Sequence, residues 1–71
     1  MYIDIIDMVI EDLNFFRGFD HKKLDTIFKK YGLEVVDDEH IQNACILTLA
    51  GGNDLFKIVY IKPKKRWYVA R

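Results

Sequence analysis

From Leu33 onward the chain alternates apolar and polar positions with a period of two, whereas before it the apolar residues recur every three or four. Tyr2, Ile5, Ile6, Val9, Leu13 and Phe16 share one helical face, widened by Ile3 and Ile10, while Asp4, Asp7, Glu11 and Asn14 take the other. This spacing predicts an amphipathic helix over Tyr2 to Phe16. Arg17-Gly18 ends it, because glycine suits the left-handed position that follows a helix. Asp20 is placed to cap a second helix. Leu24, Ile27, Phe28 and Tyr31 form its buried stripe, Lys29 and Lys30 sit in the last turn where cations suit the helix dipole, and Gly32 closes it.

The period-two region predicts strands at Leu33 to Val36, Ile41 to Ala50, Leu55 to Ile61 and Arg66 to Ala70. Asp37-Asp38-Glu39-His40 reads as a polar turn between the first two, Gly51-Gly52-Asn53-Asp54 as a hairpin, and Lys62-Pro63-Lys64-Lys65 as a turn with Pro63 at its first corner. The expected fold is α+β: one domain over residues 1–71, with two N-terminal helices packed on one face of an antiparallel three- to four-stranded β-meander.

The turns also fix a register. A loop at 51–54 pairs Ala50 with Leu55, Leu47 with Ile58 and Cys45 with Tyr60; the turn at 62–65 pairs Ile61 with Arg66 and Tyr60 with Trp67. One face then carries Cys45, Leu47, Leu49, Phe56, Ile58, Tyr60, Trp67 and Val69, and this face belongs under the helices. The other carries Ile46, Thr48, Lys57, Val59, Ile61, Arg66 and Tyr68. That face is mixed rather than polar, although an antiparallel sheet normally turns a polar face to water. Two helices cannot readily cover both, so Ile46, Lys57, Val59, Ile61, Arg66 and Tyr68 are the candidate partner-binding residues.

Composition adds limits. The 71 residues are 51% hydrophobic and include one Trp, four Tyr and five Phe, enough for a core and too many for a disordered chain. A single cysteine, Cys45, cannot form an internal disulfide, which fits a reducing, cytoplasmic setting. No apolar run reaches the ~20 residues of a membrane span, and the N-terminal stretch lacks a basic leader. Net charge is zero, but it is unevenly placed. Residues 1–20 hold Asp4, Asp7, Glu11, Asp12 and Asp20 against Arg17 alone, while residues 57–71 hold only cations.

Those cations define the alternative expectation, nucleic-acid binding by Lys57, Lys62, Lys64, Lys65, Arg66, Tyr68 and Arg71. Lysines and arginines neutralise phosphates, and an exposed tyrosine stacks on unpaired bases. The sequence pI of about 6.7 and the absence of an RNA-recognition signature, a phosphate-binding glycine loop or zinc-ligand spacing count against it. Lysines near strand ends also serve to discourage aggregation.

Catalytic chemistry finds little to work with. The chain contains no serine. Cys45 falls on the apolar face, where a thiol is not activated. His21 has no acid or cysteine partner in sequence. Asp37 to His40 lack the loop spacing of a calcium site, and no cofactor or metal motif is present. The order helix, glycine, strand, His40, strand, strand resembles the small ribonuclease toxins of the HicA type in outline. Those carry a glycine-serine pair before the histidine, whereas Asp38-Glu39 stand here and would repel an RNA phosphate. The acidic stripe Asp4, Asp7, Glu11 could face a basic partner, but a solvated helix face looks the same.

The expectation is therefore a small non-enzymatic protein that binds or regulates through protein–protein contacts, by a protein partner or by self-association across the open sheet face. In size and lack of catalytic groups it is similar to accessory or inhibitor proteins of mobile elements.

Overall fold

A computed structural model describes residues 5–16 and 19–70 of the chain. The elements run α1 (Ile5–Phe16), α2 (His21–Lys30), β1 (Glu34–Ile41), β2 (Ala44–Gly51), β3 (Asp54–Ile61) and β4 (Arg66–Val69). The four strands form one antiparallel sheet in the order β1-β2-β3-β4, a meander with both helices on one face. Tyr2, Ile3, Asp4, the Arg17-Gly18 cap and Arg71 lie outside the described residues.

In α1 the buried residues are Ile6, Val9 and Leu13, with Ile10 partly buried beside them. Ile5 and Phe16, expected in the stripe, are instead exposed by 49% and 47%. The helix is apolar around much of its circumference, so its seat is chosen by the polar residues on the flanks. Asn14 reaches β4 on one flank, with Nδ2 donating to Trp67 O at 3.0 Å and Oδ1 accepting from Trp67 N at 2.7 Å. Asp12 reaches α2 on the other, accepting from the Tyr31 hydroxyl at 2.6 Å and the Lys30 ammonium at 3.4 Å. These contacts turn the Ile6–Val9–Leu13 line inward and Ile5 and Phe16 away. Asn14, expected on the solvated face, is thus half-buried and structural.

In α2, Asp20 Oδ1 accepts from the amides of Lys22 at 3.0 Å and Lys23 at 3.4 Å, capping the N-terminus as expected. The C-terminus closes with Leu33 N donating to Phe28 O at 2.8 Å and Gly32 N to Lys29 O at 3.1 Å. Gly32 takes φ 69° in this closure, a conformation that glycine adopts without a Cβ penalty. Leu24, Ile27, Phe28 and Leu33 are buried as a consequence.

The sheet register matches the expected pairs: Ala50 with Leu55, Leu47 with Ile58, Cys45 with Tyr60, Tyr60 with Trp67 and Ile61 with Arg66. Pairing extends to Gly51 and Asp54, so the loop is only Gly52-Asn53. Gly52 has φ 60° and Asn53 does not share the positive sign, which is the glycine-first hairpin turn whose twist suits antiparallel strands. At the next turn Lys65 N donates to Lys62 O at 3.2 Å, and Lys65 takes φ 53°.

The first strand differs from expectation. Asp37-Asp38-Glu39-His40 is not a turn but the middle of β1, and Gln42-Asn43 makes the reversal instead. All eight residues of β1 are exposed, so the burial alternation that marks a strand in sequence is absent. The register shifts between Val35 and Asp37, leaving Val36 as a bulge. Charged residues and a bulge are common devices on an edge strand, where they discourage pairing with other chains.

The core lies between the helices and the sheet. Leu49, Ile58, Val9, Cys45 and Trp67 are its most completely buried members. Trp67 stacks on Phe19 with ring centroids 5.6 Å apart and lies 4.9 Å from the Tyr60 ring. The expected helix-facing set is therefore correct, with Phe56 and Val69 half-buried at its margins.

Candidate functional site

Strand alternation and the observed pairing carry side chains onto the far face of the sheet in rows. One row is Glu39–Ile46–Val59–Tyr68, and the next is Ile41–Ala44–Ile61–Arg66. Asp37–Thr48–Lys57 and Glu34–Ala50–Leu55 follow. All six candidate partner-binding residues, Ile46, Lys57, Val59, Ile61, Arg66 and Tyr68, thus lie together on this face. Neither helix covers it.

Ile46, Val59 and Ile61 are half-buried, and Tyr68 and Ile41 are exposed by 38% and 50%. Ala44 is buried between Ile41 and Ile61. The result is an apolar stripe that crosses all four strands near one end of the sheet. Its charges are segregated: Glu34, Asp37 and Glu39 lie along β1, and Lys57 and Arg66 lie on β3 and β4. None of these five enters an ion pair among the described residues. The sequence had no means to show this separation while Asp37 and Glu39 were read as a turn.

The cations of the nucleic-acid alternative are dispersed. Lys57 and Arg66 point to the open face with Tyr68, whereas Lys64 and Lys65 stand on the β3–β4 turn. Lys62 donates its ammonium to Ile41 O at 3.2 Å and its amide to Asn43 O at 2.9 Å, tying that turn to the β1–β2 turn. The carboxylates of Asp37 and Glu39 share the face with Arg66 and Tyr68.

On the helix side, β1 is not covered by α2, and a cleft of about 350 Å³ lies between them, lined by Phe19, His21, Phe28, Asp38 and His40. His40 Nε2 is 3.3 Å from Asp38 Oδ2 and 3.8 Å from Cys45 Sγ. Cys45 is 1% exposed, and burial, with a further contribution from the Asp38 charge, pushes its thiol above the ordinary range. A thiol that is harder to ionise is a poor nucleophile. Asp37 to His40 do not converge on one point, because alternation sends Asp38 and His40 to the helix side and Asp37 and Glu39 to the other. Among the described residues no group of three potential metal ligands comes together.

A second exposed apolar surface went unnoticed in the sequence. Met8 and Phe15, seven residues apart on α1, are exposed by 42% and 81%, and the Phe15 ring meets Phe16 edge-on at 5.5 Å. The signal was the surplus of apolar residues on α1, more than one buried stripe can use. Lys23 stands 5.1 Å from the centre of the Phe16 ring, giving that side of the patch a cationic neighbour.

No helix among the described residues is long and apolar enough to cross a membrane. Comparison of the chain with protein-family models, curated proteins and solved structures found no match, so the surface chemistry alone bears on function.

Proposed function

We propose that this chain is a small non-enzymatic binding protein of the cytoplasm that acts by protein–protein contact through the open face of its sheet. The observation that carries the reading is the uncovered apolar stripe of Ile46, Val59, Ile61 and Tyr68 on strands whose opposite face is fully used by the core. Apolar side chains fixed on a rigid sheet lose little conformational entropy on docking, so a partner gains most of the burial free energy. A regulatory or accessory role, such as that of a mobile-element inhibitor, fits the same surface.

Nucleic-acid binding is the competing reading, favoured by the exposure of Lys64, Lys65, Arg66 and Tyr68. It requires phosphates to approach a face that also presents Asp37 and Glu39, and it lacks a free Lys62. Its signature is affinity that falls steeply with salt and weakens on Lys64→Glu with Lys65→Glu.

Photocrosslinking separates the two. A benzophenone amino acid replacing Val59 should give discrete protein adducts in native lysate that resist nuclease, while the same group replacing Lys29, exposed on α2, gives none. Nuclease-sensitive adducts would favour nucleic acid. Adducts formed only from the Phe15 position would move the binding surface to α1 and overturn the proposal.

A further inference from the structure

We infer that the open face receives a second copy of this chain, docked face to face about a two-fold axis that runs along the strands. The inference rests on the reading of this face as a protein contact and names the partner. Its basis is the segregation of charge across the sheet.

Two sheets packed face to face keep their strands within about 30° of each other. Two aligned arrangements of identical sheets satisfy a two-fold axis lying between them. With the axis across the strands, each strand lies over its own copy. The acidic β1 with Glu34, Asp37 and Glu39 then lies over the partner's acidic β1, and the basic side with Lys57 and Arg66 lies over the partner's basic side. Like charges brought together in this way oppose association. With the axis along the strands, β1 lies over the partner's β4 and β2 over the partner's β3. The acidic edge then meets the basic edge twice, once at each side of the interface.

The apolar residues suit the same axis. Glu39–Ile46–Val59–Tyr68 reverses on itself under this rotation, so Ile46 meets the partner's Val59 and Glu39 comes over the partner's Tyr68, with the partner's Arg66 one row away. Neighbouring rows on one face are roughly 7 Å apart, a gap that an arginine side chain spans. The surface is thus self-complementary in shape class and in charge, as an isologous contact requires.

Size sets the strength. Eight-residue strands are ~27 Å long and spaced ~4.8 Å, and the four-residue β4 limits the overlap with each β1, giving roughly 400 Å² per copy, or about 800 Å² for both, below the size of most specific interfaces. The dimer should therefore be a weak, concentration-dependent one.

Sedimentation equilibrium from about 1 to 500 µM, with circular dichroism to verify folding, tests the inference. The wild-type protein should pass from monomer to dimer. Glu39→Lys and Arg66→Glu, both at exposed positions, should each weaken dimerisation at least ~10-fold by setting cation against cation or acid against acid. The double variant Glu39→Lys/Arg66→Glu should return to within ~3-fold of wild type, because reversing both charges restores the opposition. An axis across the strands gives no such recovery, and a double variant as weak as either single one overturns the geometry. A wild-type protein that stays monomeric at 500 µM, while the crosslinker at position 59 still captures a different protein, refutes the second copy and leaves the contact face standing. A monomer with no adducts from position 59 refutes both.

Discussion

Asn14 and Trp67 show how two residues set the architecture from opposite sides. Trp67 is 1% exposed between Phe19 and Tyr60, so Trp67→Ala removes the largest core side chain. Such truncations cost about 3–5 kcal/mol, comparable with the whole stability of a domain this small, roughly 4–10 kcal/mol. The variant should show no cooperative thermal transition; a melting temperature within ~5 °C of wild type would disprove this placement of the ring. Asn14 contributes differently, by satisfying both outward main-chain groups of Trp67. Asn14→Asp keeps the acceptor but sets a carboxylate oxygen against Trp67 O. Urea titration should find it about 1–3 kcal/mol less stable, and a difference below ~0.5 kcal/mol would mean that the amide clamp is incidental.

At the scale of elements, the two helices are joined by a titratable contact. Asp12 is held below its ordinary range, first by the Tyr31 hydroxyl and then by Lys30, against an opposing effect of desolvation. Tyr31 and Lys30 are raised above theirs, in each case chiefly by the hydrogen bond to Asp12. The depressed carboxyl contributes stability above its unfolded value near pH ~4, lost as pH falls through the lower folded value. The raised phenol contributes below its unfolded value near ~10, lost as pH rises through the higher folded value. The stability difference between wild type and Tyr31→Phe should therefore be greatest between about pH 5 and 9 and shrink toward both extremes. A difference that does not vary with pH would remove the contact from the account.

The same scale explains what sequence pattern could and could not reveal. α2 and the β2–β3–β4 meander were legible because each has a cap or turn that fixes its phase: Asp20, Gly32, Gly52 and Pro63. β1 was not, since an edge strand with every residue exposed leaves no alternation to read. The seat of α1 was only half legible. Its apolar residues allow several rotations, and the choice among them depends on Asn14 and Asp12 meeting partners 53 and 19 residues away. The candidate face inherited both outcomes: its apolar centre followed from the turns, while its acidic border appeared only when Asp37 and Glu39 were found on β1.

For the molecule as a whole, surface matters more than interior. The helices fill one side of the sheet and leave the other apolar at its middle and oppositely charged at its two margins. The described acids of the first twenty residues sit on α1 and at the cap of α2, while on the open face of the sheet the acids lie on β1 and the cations on β3 and β4.

The amide clamp of Asn14 also determines how such a sheet could grow. Open-ended fibres need a molecule with two available strand edges, one to receive and one to offer. Here the outward main-chain groups at Trp67, in the short β4, are already taken, and among the described residues only β1 presents a long unpaired edge. A single copy can then add strand to strand only through β1, whereas a face-to-face dimer carries two such edges, one from each copy. Asn14 thus closes one edge of the sheet, and the charges and bulge of β1 are left to guard the other.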